Sequence, residues 1–152
     1  MDQRATDHLV AEGETIAKTV QVSREDILAF ARMSHDENPL HTDTQVVQRA
    51  RFGEIIASGQ HTAAILMGLL ATHFSRRADG VQREMLCLNM NFAFKGPVFA
   101  GQDLHLQWKV AGAQWNSKLQ GVLAHLDGSA FVAHDKPAVV GRGTILVKES
   151  ES

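Results

Sequence analysis

Ser58-Gly59-Gln60-His61-Thr62-Ala63-Ala64-Ile65-Leu66-Met67-Gly68-Leu69-Leu70-Ala71-Thr72-His73-Phe74 runs at helical length with almost no polar side. A helix that is apolar nearly all round is expected to be buried along its length. The unbroken apolar run, Ala63 to Ala71, is about half the ~20 residues that a bilayer crossing needs, so it reads as a core helix. Gly68 in its middle lowers helix propensity by about 1 kcal/mol relative to Ala, and its expected use is close approach to a neighbouring strand. Beyond the helix, Arg76, Arg77 and Gly80 supply basic residues near the negative dipole end and a terminating glycine.

From Met85 the period changes to two. Leu86, Leu88, Met90, Phe92 and Phe94 fall on one face, and Cys87, Asn89, Asn91 and Ala93 on the other. Leu104, Leu106, Trp108 and Val110 alternate in the same way, Leu119 to Leu126 gives another strand and Val139 to Val147 a further one, with Asp127-Gly128-Ser129 read as a turn. Several antiparallel strands after one apolar helix predict an α+β fold, a single sheet wrapped around that helix.

The chain before the helix builds outward from this frame. Ile16, Val20 and Val22 lie at even spacing within Glu14 to Val22 and predict a first strand. Ser23, with Asp26 three positions on, is a helix N-cap signature ahead of Ile27, Leu28, Phe30 and Ala31, so a short helix should run to about Met33. It delivers the chain to Ser34-His35-Asp36-Glu37-Asn38-Pro39-Leu40-His41. Pro39 fixes its own φ and moves Asn38 out of the helical region, so this segment should be a rigid turn that presents Asp36 and His41 toward one point. A carboxylate, ordinarily titrating near ~3.9, and an imidazole, near ~6.5, can hold one water between them and pass its protons near neutral pH. Composition alone equally fits a capped helix followed by an Asn-Pro turn. A further short helix is expected over Asp43 to Ala50, closed by Phe52-Gly53.

The run from Phe30 through Asp36-Glu37-Asn38-Pro39-Leu40-His41 to Asp43, with Arg51-Phe52-Gly53, Ile56-Ala57-Ser58-Gly59 and Phe94-Lys95-Gly96-Pro97-Val98-Phe99-Ala100-Gly101-Gln102-Asp103, resembles the MaoC-like dehydratases and (R)-specific enoyl-CoA hydratases. The likeness spans about Thr15 to Val147 and implies the hot-dog fold. It also implies a hydratase or dehydratase acting on the 2,3 double bond of an enoyl thioester, with coenzyme A or acyl carrier protein as substrate carrier and with no cofactor and no metal. By the same resemblance Asp36 and His41 are the catalytic pair, Asn38 supports the turn or contacts the water, and the Gly59 amide binds the thioester carbonyl beside Ser58. Two positions depart from the family pattern. His35 stands where a glycine usually precedes the aspartate, narrowing the acyl pocket, adding a third proton-exchanging group, or serving as a tolerated turn variant. Ser58 stands where a histidine often precedes the helix glycine.

Bulk properties fit one ordinary domain over residues 1–152, with 1–13 and 148–152 expected to fray. Apolar residues make up 44% and charged residues 21%, and the net charge is −2 with Lys and Arg scattered, so no footprint for nucleic acid or an anionic membrane is visible. The single cysteine, Cys87, cannot form an internal disulfide and is expected to be a small buried residue. The polar Met1 to Glu14 lacks the apolar core of a secretory signal, so the expected location is cytoplasmic. His61 and His73 are read as hydrogen-bonded core histidines. Arg76, Arg77, Arg83 and Lys95 are read as capping or solvated residues, with contact to carrier phosphates as the rival reading. A homodimer is expected, because a small curved sheet leaves an edge strand open. Acyl-thioester hydrolysis and a non-catalytic thioester-binding partner subunit are the competing functions.

Overall fold

The computed structural model describes residues 7–43, 45, 54–75, 81–133 and 136–150. Strand β1 (Thr15–Gln21) leads to helix α1 (Arg24–Met33), then a single 3-10 turn at Pro39–His41 and the central helix α2 (Gly59–Ser75). Four long strands complete the chain: β2 (Arg83–Phe94), β3 (Asp103–Asn116), β4 (Gly121–Ala133) and β5 (Lys136–Glu149). All pair antiparallel in one sheet of order β1-β3-β4-β5-β2. The sheet packs on α2 in the α+β hot-dog arrangement, and Leu66, Leu70 and Phe74 of the helix are fully buried against it.

The centre of that packing is Trp108, fully buried on β3. Its indole N–H donates to the Leu66 carbonyl of α2 at 2.7 Å. The ring needs a slot, and glycines provide it: a Cβ at Gly128 would come 2.5 Å from the ring, and one at Gly141 would come 3.3 Å from it. This overturns the reading of Asp127-Gly128-Ser129 as a turn. The three residues lie inside β4, paired with Lys109, Trp108 and Gln107 on one side and Arg142, Gly141 and Val140 on the other. The glycine is there for the close approach of an aromatic ring across the sheet.

Other expectations change for physical reasons. Helix α2 is not buried on all sides, since Gln60, Ala64, Gly68 and Thr72 form an exposed stripe one turn apart; small residues left that stripe without a polar signature. Gly68 approaches no strand, because a Cβ there would meet nothing within 4 Å. In β2 the register shifts between Cys87 and Asn89, which reverses the phase of the alternation. Met85, Met90 and Phe92 therefore pack on the core, while Leu86 and Leu88 are exposed, as is Cys87. The stretch 1–13 was expected to fray, yet Leu9 and Val10 are buried and the Gly13 amide donates to the Val110 carbonyl. At the other end β5 continues to Glu149, and the Ser150 amide donates to Gln82. Arg83 is buried, donating to the carbonyls of Leu9 and of His73 near the end of α2, which removes it as a phosphate contact. The expected helix over 43–50 with Phe52-Gly53, and Arg76, Arg77 and Gly80, lie outside the described residues, apart from Asp43 and Gln45.

Candidate active site

Helix α1 begins as its sequence requires. The Ser23 hydroxyl accepts from the Asp26 amide at 3.0 Å and the Asp26 carboxylate accepts from the Ser23 amide at 3.1 Å, a complete capping box. Hydrogen bonding from the Ser23 backbone amide, and secondly from the Ser23 side chain, holds the Asp26 carboxyl below its ordinary range. The helix ends in a Schellman motif: the His35 amide donates to the Arg32 carbonyl and the Asp36 amide to the Ala31 carbonyl. That motif places its C′ residue in the left-handed region, and His35 has φ +57. The glycine of the family pattern is thus explained by backbone geometry, and His35 is a side-chain-bearing residue holding a glycine's conformation.

His35→Gly should therefore leave stability unchanged or raise it, by up to about 1 kcal/mol. The left-handed region disfavours a residue with a Cβ by roughly 1–2 kcal/mol, and the larger unfolded-state entropy of glycine offsets about 0.5–1 kcal/mol of that. This reverses the sign expected from entropy alone. Thermal unfolding of the two proteins checks it; a destabilisation above 1 kcal/mol would show that the His35 side chain makes a stabilising contact.

The motif delivers Asp36, whose two carboxylate oxygens are held separately. Oδ1 accepts from the Asn38 amide at 3.0 Å, and Oδ2 accepts from the Gln60 side-chain amide at 3.0 Å. Asn38 is occupied as a turn builder: its side-chain oxygen accepts from the Leu40 amide at 3.1 Å, capping the 3-10 turn that Pro39 opens. His41, closing that turn, is buried, and its Nδ1–H donates to the Ile56 carbonyl at 2.6 Å. A carbonyl only accepts, so the proton is on Nδ1 and the neutral ring offers its lone pair from Nε2. That Nε2 lies 3.9 Å from Asp36 Oδ2, too far for a direct hydrogen bond and suited to a shared water.

Ile56 belongs to the strand-like approach to α2. Ala57 donates to the Val98 carbonyl and Ala100 to the Ile55 carbonyl, so the Pro97 loop and, through His41 and Ile56, the Asp36–His41 turn are both tied to the start of the helix. Ser58 is buried and caps α2, its hydroxyl accepting from the His61 amide at 3.2 Å. Gly59 is the first helical residue, and an amide in the first turn has no intrahelical acceptor. A Cβ at Gly59 would come 2.5 Å from the Phe94 ring, so glycine is what lets that ring lie over the helix start.

His41, Gly59, Thr62, Phe94, Lys95, Pro97 and Val139 share a groove of about 390 Å³. His35 and Asp36 line a second, of about 600 Å³, with Leu28, Arg32 and Glu37. The larger concavity, about 1100 Å³, lies over strands β2 to β5 away from this chemistry. His41 shares its groove with Gly59, whereas Asp36 lines the second groove and is tied to the start of α2 through Gln60, the residue after Gly59. His61 is buried and stacks on Phe30 at 4.3 Å, but its Nδ1 has no partner among the described residues, contrary to the hydrogen-bonded expectation. Burial holds its pKa below the ordinary 6.5, with Asp26 opposing and His41 adding to the shift. His73 does find a partner, Glu14, at 3.4 Å. No group of three metal-ligating side chains converges among the described residues, and no described helix is long and apolar enough to cross a membrane.

A carboxylate and an imidazole sit together on one turn tied to the start of a sheet-wrapped helix, and comparison with known proteins assigns the chain to a family. Residues 9–126 match the MaoC like domain, and the chain belongs to that family. It is 29% identical over 120 residues to the (R)-specific enoyl-CoA hydratase of Aeromonas caviae, covering 79% of this chain and 82% of that protein. It is 27% identical over 100 residues to the mitochondrial 3-hydroxyacyl-[acyl-carrier-protein] dehydratase of Arabidopsis thaliana, covering 66% of this chain and 55% of that one. The chain spans little more than half the length of that dehydratase. The solved (R)-hydratase from A. caviae superposes with a TM-score of 0.75 at 24% identity, covering 93% of this chain and 98% of that one, and the MaoC-like dehydratase from Rhodospirillum rubrum does so at 0.74 and 23%.

Proposed function

We propose that this chain adds water across the 2,3 double bond of a trans-2-enoyl thioester, or removes it from the 3-hydroxyacyl thioester. The observation that carries the reading is the 3.9 Å gap between His41 Nε2 and Asp36 Oδ2, two acceptors whose orientations are fixed by Ile56 and by Asn38 and Gln60. A water in that gap donates one hydrogen to each acceptor and turns its oxygen lone pairs outward, toward a substrate.

As the water oxygen bonds to the β-carbon, its proton passes to Asp36 Oδ2. The π pair of the double bond moves to the α-carbon and onto the thioester oxygen, where the Gly59 N–H and the positive end of the α2 dipole stabilise the developing charge. Asp36 then returns the proton to the α-carbon on the same face. The second hydrogen of the water stays on the new hydroxyl, still accepted by His41. One carboxylate serves as base and acid in turn, so the addition is syn. The relatives named as hydratase and dehydratase of thioester-linked acyl chains support the same reaction class, and Lys95 at the groove fits the phosphates of a coenzyme A or acyl-carrier-protein arm.

Incubation with crotonyl-CoA tests the reading. Enoyl absorbance should fall without release of free thiol; thiol release would mark a thioesterase, and binding without either change a non-catalytic partner subunit.

The pocket also argues for a homodimer. Strand β2 is an edge of the sheet, and it exposes Leu86, Leu88 and Phe94 at 58%, 48% and 57%. An open edge carrying large apolar side chains is a pairing surface, and Phe94 at its end lies directly over Gly59. Light scattering at micromolar concentration should return about twice the 16.6 kDa of the chain; a monomer mass would remove this assembly.

A further inference from the structure

We infer that Gln60 is a positioning residue: its side-chain amide, donated from the first turn of α2, holds the Asp36 carboxylate in the orientation that faces His41. The inference rests on the hydratase reading of the site.

The contact joins the end of α1 to the first turn of α2, beside the stacking of His61 on Phe30. Asp36 arrives at the end of α1, whereas Gln60 directly follows Gly59, whose amide faces the thioester carbonyl in the proposed mechanism. Its donor takes one lone pair of Oδ2, the oxygen that lies 3.9 Å from His41 Nε2, and leaves the other for water. The Asn38 backbone amide holds Oδ1 with one hydrogen bond, a single restraint on rotation of the carboxylate about its bond to Cβ. The second donor removes that rotation. A hydrogen bond to an ionised acceptor is stronger than a neutral one, and Asp36 is largely buried, at 16% side-chain exposure, so the bond is weakly screened. Gln60 itself is exposed. It contributes nothing visible to the core, and a side chain kept out of the core but aimed at a catalytic carboxylate is placed for the site and not for stability. The ionisable groups around Asp36 are His41 from the 3-10 turn, and Arg32, His35 and Glu37, which line the same groove. None of them has a hydrogen bond to Oδ2 among the described residues.

Three measurements on the full chain test the role. In the folded protein, Asp36→Asn should shift the side-chain amide NMR resonances of Gln60, a readout that needs no activity. Gln60→Met, similar in length but without a donor, should lower kcat for crotonyl-CoA hydration about tenfold, less than the roughly 10²–10⁴-fold for outright loss of an acid or base, while KM moves less than twofold and the melting temperature holds. In the Asp36→Asn background, Gln60→Met should have no further effect on kcat, because the two act through one group; Gln60→Glu, which sets a like charge beside the carboxylate, should fall at least as far as Gln60→Met. Unmoved Gln60 resonances, or equal tenfold losses with and without Asp36, would overturn the role. Resonances that shift in a wild-type protein unable to hydrate any enoyl thioester would instead overturn the hydratase reading, and this role with it.

Discussion

Asp36→Asn and His41→Ala should each slow hydration of crotonyl-CoA by roughly 10²–10⁴-fold, the range for removal of a positioned acid or base. Asparagine keeps the shape of aspartate and can still accept from the Asn38 amide as Oδ1 does, so the turn should survive while the proton acceptor is lost. Alanine at 41 leaves the Ile56 carbonyl without its imidazole partner and opens a small void at a buried position; circular dichroism and thermal melting must show that the fold persists. In the proposed mechanism both residues act on one water, so the double variant should be about as slow as the worse single variant and not slower by the product. Near-normal turnover in either folded single variant would take that residue out of the mechanism.

The proximity of Asp36 and His41 was legible because both sit in one short segment whose proline announces a turn, although their orientations depend on Ile56 and Gln60, 15 and 24 positions away. Helix α1 was legible for a similar reason, since Ser23 and Asp26 form the capping box they spell. What escaped was set by partners distant in sequence. Gln60 meets Asp36 across 24 positions, and no local pattern distinguishes a glutamine in the first turn of a helix from a solvated one. The meaning of His35 needed its backbone φ in the folded chain; a histidine after a helix reads as composition until the Schellman bonds show the left-handed residue that glycine would supply. The β2 faces were misassigned because a bulge inserts one residue and reverses every side chain beyond it. Gly128 was misread as a turn because its purpose belongs to Trp108, 20 residues earlier on the neighbouring strand.

That last pairing yields the largest expected effect on stability. Trp108→Ala should destabilise the chain by about 3–5 kcal/mol, the range for truncating a fully buried large aromatic, against a total of roughly 5–15 kcal/mol for a typical protein. The loss combines the buried indole, the slot over Gly128 and Gly141 that cannot close on alanine, and the hydrogen bond to Leu66. Trp108→Phe keeps most of the ring and should cost much less, with about 1 kcal/mol assigned to the missing hydrogen bond. Gly128→Val supplies the reciprocal test. A Cβ there would lie 2.5 Å from the indole, so valine must displace the ring or part the strands, and overpacking of this kind typically costs about 1–3 kcal/mol. In the Trp108→Ala background the same valine meets an empty slot, and its cost should shrink or change sign. Urea denaturation of the four proteins measures this coupling directly. Additive effects would mean that Gly128 serves the strand by some route other than the ring, and α2, which Trp108 grips at Leu66, would then owe its position beside Asp36 and His41 to contacts elsewhere in the core.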